Sequence, residues 1–269
     1  MTLPFREDTP IESYRINHRS IYVKRDDLYG IPPAPPLGKL RGLRSLLRGL
    51  HNRGVRLVGC WDTRVSRLGE GLAACATEFP GMRFIVSYPT KKGEDVPTSI
   101  KQAAQLGADI YPVPGGRISI CYSKASKHVE SRGGVMLPFG LECREAVGAI
   151  EREASKVPPE LLDNGTVVLS CGSGVTLAGL LRGLPLYPRR LIGLSSGRSL
   201  RNIRACLSRY VTALPPCVEL HEAMLPYSLP LSFPCPFPAH PHYDLKAWKF
   251  LVDNLNRYRD PILFWNIGA

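Results

Sequence analysis

The sequence predicts an α/β protein built on mainly parallel sheets. Short β-branched runs alternate with helical patterns along the chain. Several of those runs are apolar throughout, as strands covered on both faces are. The 269 residues are 44% hydrophobic, enough for one large core or two smaller ones.

Taken in order, IYVK (21–24) is the first predicted strand. Leu40, Leu43, Leu47 and Leu50 then recur on one face of a helix. VRLVG (55–59), RFIVS (83–87) and ADIYPV (108–113) read as strands, with a helix from Ser99 to Leu106 between the last two. Glu142 to Ser155 reads as a helix, VVLS (167–170) and LIGL (191–194) as strands, and ILFWN (262–266) as the last strand. The segment from Leu214 to His242 holds eight prolines and little periodicity, which predicts a long ordered surface loop.

Composition narrows the function classes. The N-terminal MTLPFREDTP has no apolar core of a secretory signal. The most apolar stretch, Val167 to Leu181, is interrupted by glycines and too short to span a bilayer. A soluble cytoplasmic protein is therefore expected. The eight cysteines are scattered without a CxxC, which favours reduced thiols. Cys235, His240 and His242 follow no standard zinc spacing, and no metal is expected. Net charge is +12, and arginine outnumbers lysine 25 to ten. Arginine grips phosphate bidentately, so a polyanionic partner is one reading and an ordinary basic protein the other.

Two segments carry chemistry. In GIPPAPPLGKLRGLRSLLRGL (30–50), Pro35, Pro36 and Gly38 set a stiff entry to a helix, and Lys39 falls near its first turn. Arg41, Arg44 and Arg48 share a face within roughly 60° at about 100° per residue, and the leucines take another. Lys39 belongs to neither stripe, although a solvated lysine would also fit. In VVLSCGSGVTLAGLL (167–181) an apolar strand meets Gly172, Ser173 and Gly174, then a helix from about Thr176. Exposed N–H groups and the helix dipole there suit a phosphate, although a bare tight turn has the same pattern. The spacing is neither a Walker loop nor GxGxxG.

In order and context these segments resemble the tryptophan-synthase-β-like, fold type II family of pyridoxal-phosphate (PLP) enzymes. The resemblance is nearest the aminocyclopropane-carboxylate (ACC) deaminase and D-cysteine desulfhydrase branch. It rests on TPIESY with IYVKRDDLYG, LGKLRGLRSLL, SRLGEGLAACA, AAQLGADIYPV, VMLPFGLECREAVGAIEREA, SCGSGVTLAGLL and HYDLKAWKFLV with ILFWNIGA. It implies two open twisted sheets flanked by helices with a cofactor cleft between domains. Residues 1–51 and 141–269 would form the large PLP-binding domain, and 52–140 the small one. Lys39 would hold PLP as a Schiff base, its amine easier to deprotonate if buried near other cations. Gly172, Ser173, Gly174, Val175 and Thr176 would hold the phosphate.

Departures from the family pattern stand beside this. Arg67 occupies the position of an asparagine beside the ring, Leu68 that of a histidine or glutamine, and Ser66 keeps a hydroxyl used against the substrate carboxylate or Cα. Alternatively Asp62, Thr63 and Arg64 form that turn. The residue facing the pyridine nitrogen is expected in or near 214–242.

For function, the resemblance and the charge together favour decarboxylation of an amino-acid adduct on a DNA base, as in bacteriophage thymine hypermodification. Arg41, Arg44, Arg48, Arg198, Arg201 and Arg204 would then track phosphates, in the host cytoplasm if the source is viral. One alternative is a deaminase or β-eliminating lyase acting on a small free amino acid. Another is a PLP-fold binding module without catalysis. A homodimer is the family expectation.

Overall fold

The computed structural model describes residues 3–269 and divides into two compact units. One joins residues 6–29, 36–42 and 142–269; the other joins 3–5 with 30–35 and 43–141.

The first unit carries a six-stranded sheet in the order β1-β2-β10-β7-β8-β9. Strands β1 (Ile11–Ile16) and β2 (Arg19–Arg25) are an antiparallel hairpin. Its two-residue turn, Asn17-His18, has positive φ at both positions, the backbone that matches strand twist. All other pairings are parallel. Strand β10 (Ile262–Asn266) lies between β2 and β7 (Thr166–Cys171), with Ile262 opposite Ile21 and Thr166. All five of its residues are buried, which explains its unbroken apolar run. Beyond β7 lie β8 (Arg190–Ser195) and the edge strand β9 (Val218–Glu222).

Helices α5 (Arg144–Ala154), α6 (Val175–Gly183), α7 (Leu200–Leu207) and α8 (Asp244–Asp253) belong to this unit. Trp248 and Leu251 of α8 pack with Phe264, Val23 and Ile192 in the core. Helices α5 and α6 cross closely: a Cβ on Gly179 would stand 2.5 Å from Ile150 side-chain atoms. Glu153 forms a buried ion cluster with Lys24 and Arg41, and Arg41 also pairs with Asp26.

The second unit is a four-stranded, wholly parallel sheet in the order β5-β4-β3-β6. These are β3 (Leu57–Trp61), β4 (Arg83–Thr90), β5 (Asp109–Pro114) and the short β6 (Val135–Met136). Its helices are α2 (Leu68–Ala74), α3 (Thr98–Gln105) and α4 (Ile118–Glu130). A Cβ on Gly59 would stand 2.2 Å from Val129 of α4, so glycine permits that approach. Helix α1 (Leu40–Asn52) is shared, the division falling between Gly42 and Leu43.

Each strand and helix expected from periodicity is present. The 214–242 segment differs from expectation in containing β9. VELHE has the mixed polarity of an edge strand, so no apolar run announces it. The rest of that segment is tied down by backbone carbonyls. Pro226 accepts from the Lys246 amine (2.6 Å), Pro234 from the Trp248 indole (3.2 Å) and Pro238 from Asn266 (2.8 Å). All eight cysteines are free thiols. Among the described residues no helix is long and apolar enough to cross a membrane.

Candidate active site

In the first unit, buried β7 ends at Cys171 and the chain turns through Gly172-Ser173-Gly174 into α6. Gly174 has φ +100°, a conformation that side chains rarely adopt. No side chain caps α6, so its first N–H groups are left for another acceptor, and an anion suits them. The Ser170 hydroxyl meets that of Ser196 at 2.6 Å, coupling the ends of β7 and β8.

Lys39 reaches this turn from the start of α1. Gly38 donates its N–H to the Ile267 carbonyl (2.7 Å), and Leu37 bridges Gly268. A Cβ on Gly38 would lie 2.3 Å from Asp26 Oδ2, so the lead-in must end in glycine. The Lys39 side chain is half-buried, and its Nζ lies 3.7 Å from where a Gly172 Cβ would stand. An amine beside an uncapped glycine turn is a donor set that fits an aldehyde with a phosphate tail. The Cys171 thiol, one residue away, is pushed up to about 12 by burial, with the Lys39 charge opposing.

A residue missed from the sequence is Asp244. It is fully buried at the start of α8, and accepts N–H bonds from Ile267 (3.3 Å) and Gly268 (2.9 Å). Burial holds its carboxyl well above the usual range, with those two N–H groups and the Lys39 charge opposing. An acid opening a helix after a proline-rich segment was the available signal, but nothing in the pattern marked it as buried. The adjacent Tyr243 ring stacks on His240 at 3.9 Å.

Ser66 and Arg67 lie in the other unit, on the turn between β3 and α2. Asp62 organises that turn. Its carboxylate accepts from the Thr63 N–H (3.0 Å), the Gly69 N–H (2.7 Å) and the Ser66 hydroxyl. Burial nevertheless pushes Asp62 up to about 6. Arg67 makes a bidentate pair with Glu70 at 2.8–2.9 Å. Both sequence alternatives thus fall on one turn, from Asp62 to Gly69.

The phosphate-tracking reading of Arg41 and Arg44 is corrected. Arg41 is 7% exposed and bonds Asp26, Thr9 and the Glu7 carbonyl at 2.8–2.9 Å. Arg44 is 4% exposed and grips Glu78. Their shared helix face points inward, where carboxylates satisfy it, and neither is available to a nucleic acid. Arg48 is exposed and also pairs with Glu78 (2.8 Å). Arg198 pairs with Glu142 and donates to the Ser173 carbonyl (3.4 Å), which places it against the glycine turn. Arg201 and Arg204 are exposed on α7.

No protein-family profile matches the chain. Among solved structures, an ACC deaminase homologue superposes with TM-score 0.80 at 18% identity, covering 98% of this chain and 90% of that one. A hydrogen sulfide-producing enzyme from Fusobacterium nucleatum superposes with TM-score 0.72 at 16% identity, covering 99% and 94%. An O-acetylserine-dependent cystathionine β-synthase from Helicobacter pylori gives 0.65 at 18%, covering 97% and 92%. The architecture is therefore that of the fold type II PLP enzymes. A curated protein, the glycyl-dTMP PLP-dependent decarboxylase of Pseudomonas phage M6, is 33% identical over 97% of this chain and 98% of its own length. The chain belongs to the family of that phage decarboxylase.

Proposed function

We propose that this protein is a PLP-dependent decarboxylase acting on an amino-acid adduct carried by a DNA base. Full-length kinship with the phage glycyl-dTMP decarboxylase supports the reaction class. The observation that carries the site is the Lys39 amine beside the Gly172 turn. In this reading Lys39 holds the cofactor covalently, and the N–H groups from Gly172 to Thr176 hold its phosphate. Asp244, the buried acid whose field reaches Lys39, is assigned to the ring nitrogen. Bound PLP supplies an electron sink for a carbanion at Cα.

The remaining steps fall to side chains. Once the substrate amine has replaced Lys39 on the cofactor, the freed Lys39 Nζ would carry the proton that takes the place of the departing carbon dioxide at Cα. Ser66 is assigned to the departing carboxylate and Arg67 to the ring oxygen or a substrate acid group. For this they exchange their present partners, Asp62 and Glu70. Residues 1–51 and 141–269 make up the cofactor domain in this proposal, and 52–140 the small one. The protein acts as a homodimer in the cytoplasm of an infected host.

The test is carbon dioxide release from an oligonucleotide bearing a glycine-modified thymine, with ammonia and sulfide assayed alongside on free amino acids. Carbon dioxide from the modified DNA alone is the expected result. Ammonia or sulfide release from free amino acids without it would replace this reading with the deaminase or β-eliminating one.

A further inference from the structure

With Arg41 and Arg44 turned inward, the surface that meets a polyanion has to be sought elsewhere. The smaller unit contains a cleft of about 700 Å³ at the C-terminal ends of β4 and β5. Arg64, Lys91 and Lys92 line it, with Thr90, Gly115 and Gly116 among its walls, and no carboxylate is part of the lining. The remaining lining residues are Pro89 and Pro114.

The cations are arranged rather than scattered. Arg64 is fixed by Glu94 at 2.8 Å, the Asp95 carbonyl at 2.6 Å and the Pro89 carbonyl at 3.4 Å. Glu94 also pairs with Lys91, so one anion holds two cations side by side, and Lys92 adds a third. Gly115 cannot carry a side chain, because its Cβ would stand 2.7 Å from the Thr90 carbonyl. The floor of the cleft is therefore kept low there. Helix α4 begins just beyond Gly116 with no side-chain cap, adding its partial positive charge.

Arg64 sits on the Asp62–Gly69 turn, two residues before Ser66 and three before Arg67. A group bound at the cleft is thereby held a short distance along the same turn from the residues assigned to the substrate. We infer that this cleft binds a backbone phosphodiester of the polynucleotide that carries the modified base. The inference rests on the DNA-linked substrate proposed above and adds where the strand is held.

Binding of a fluorescent, unmodified duplex to the PLP-loaded enzyme, followed by anisotropy across a salt series, tests it. The variants are Lys91→Ala/Lys92→Ala, with Lys249→Ala, an exposed lysine outside the cleft, as the control. Loss of that phosphate contact lowers the log–log salt slope by about 1, at about 0.9 per phosphate neutralised. The double variant is expected to show this on every duplex sequence, with an unchanged unfolding midpoint and an unchanged cofactor absorbance band. Lys249→Ala is expected to keep the wild-type slope. A wild-type slope retained in the double variant overturns the inference and leaves the decarboxylase reading standing. Inorganic phosphate that binds the wild type at constant ionic strength without displacing the duplex would assign the cleft to a small free anion and also overturn it. If the wild type neither binds duplex at low salt nor releases carbon dioxide from modified DNA, the DNA-linked substrate itself fails, and this inference fails with it.

Discussion

Replacing Gly172 with alanine separates the fold's need for a glycine from the cofactor's. Gly172 has no left-handed backbone, unlike Gly174, and a Cβ there meets only Lys39 Nζ, at an ordinary contact distance of 3.7 Å. The apo fold therefore accepts the methyl group without strain. Gly→Ala at a compatible site stabilises by about 0.4–1 kcal/mol through the unfolded chain. For a chain of this size that raises the melting midpoint by about 1–4 °C. PLP meets a different situation. The added methyl group occupies the approach to the turn that is to hold the phosphate, beside the amine that is to hold the aldehyde. Loss of one hydrogen bond to a charged group costs about 1.5–3 kcal/mol, so PLP affinity falls about ten- to a hundredfold. The assay pairs thermal unfolding of the apo protein with PLP titration followed by absorbance. A variant that loads PLP as tightly as the wild type would refute the phosphate cradle. One that melts lower without PLP would refute the geometry of the turn.

Lys39→Ala should lose the borohydride-fixable absorbance band entirely while still folding; a reducible adduct that persists in this variant would move the anchor to another lysine. Arg41→Ala leaves Asp26 and Glu153 short of a buried partner and should destabilise by about 3–5 kcal/mol in denaturant titration. Arg48→Ala, at an exposed pair, should change stability by no more than about 1 kcal/mol. The Asp62 carboxyl holds its proton more tightly in the folded state, at about 6, than at its ordinary 3.8. Its contribution to stability is therefore fully present below pH 4 and falls by up to about 3 kcal/mol as pH rises through 6. Subtracting the pH–stability curve of Asp62→Asn should expose that slope, and a flat difference across pH 4–7 would contradict it. Gly179→Val should destabilise by at least about 1–3 kcal/mol in the same titration, because the α5–α6 crossing has no room for a side chain.

The strands most legible in the sequence were those buried on both faces. ILFWN, VVLS and LIGL carry unbroken apolar runs because the sheet covers them on either side. β1 and β9 were not legible: both lie at sheet edges, where half-exposed polar residues blur the pattern. Lys39 could be singled out because it belonged to neither stripe of α1, and the glycine turn because its spacing exposes backbone. The arginine face of α1 was misread for a physical reason. Helical periodicity reports which residues share a face, but not whether that face meets water or carboxylates. Glu78 and Glu153 lie 34 residues beyond Arg44 and 112 beyond Arg41, and only the fold brings them there. Asp244 was invisible for the same reason, since its burial follows from the packing of α8 against the end of β10.

Residues 267–269 clasp the approach to Lys39. Ile267 accepts from Gly38, Gly268 bridges Leu37, Ala269 donates to Pro36, and Asp244 holds Ile267 and Gly268 from behind. During translation, therefore, residue 39 leaves the ribosome more than two hundred positions ahead of the segment that orients it. A nascent chain exposes this lysine long before it can place it, so capture of the vitamin-derived aldehyde waits for residues 267–269 to dock. Substitutions that loosen that clasp would show first as poor cofactor loading in an otherwise folded protein.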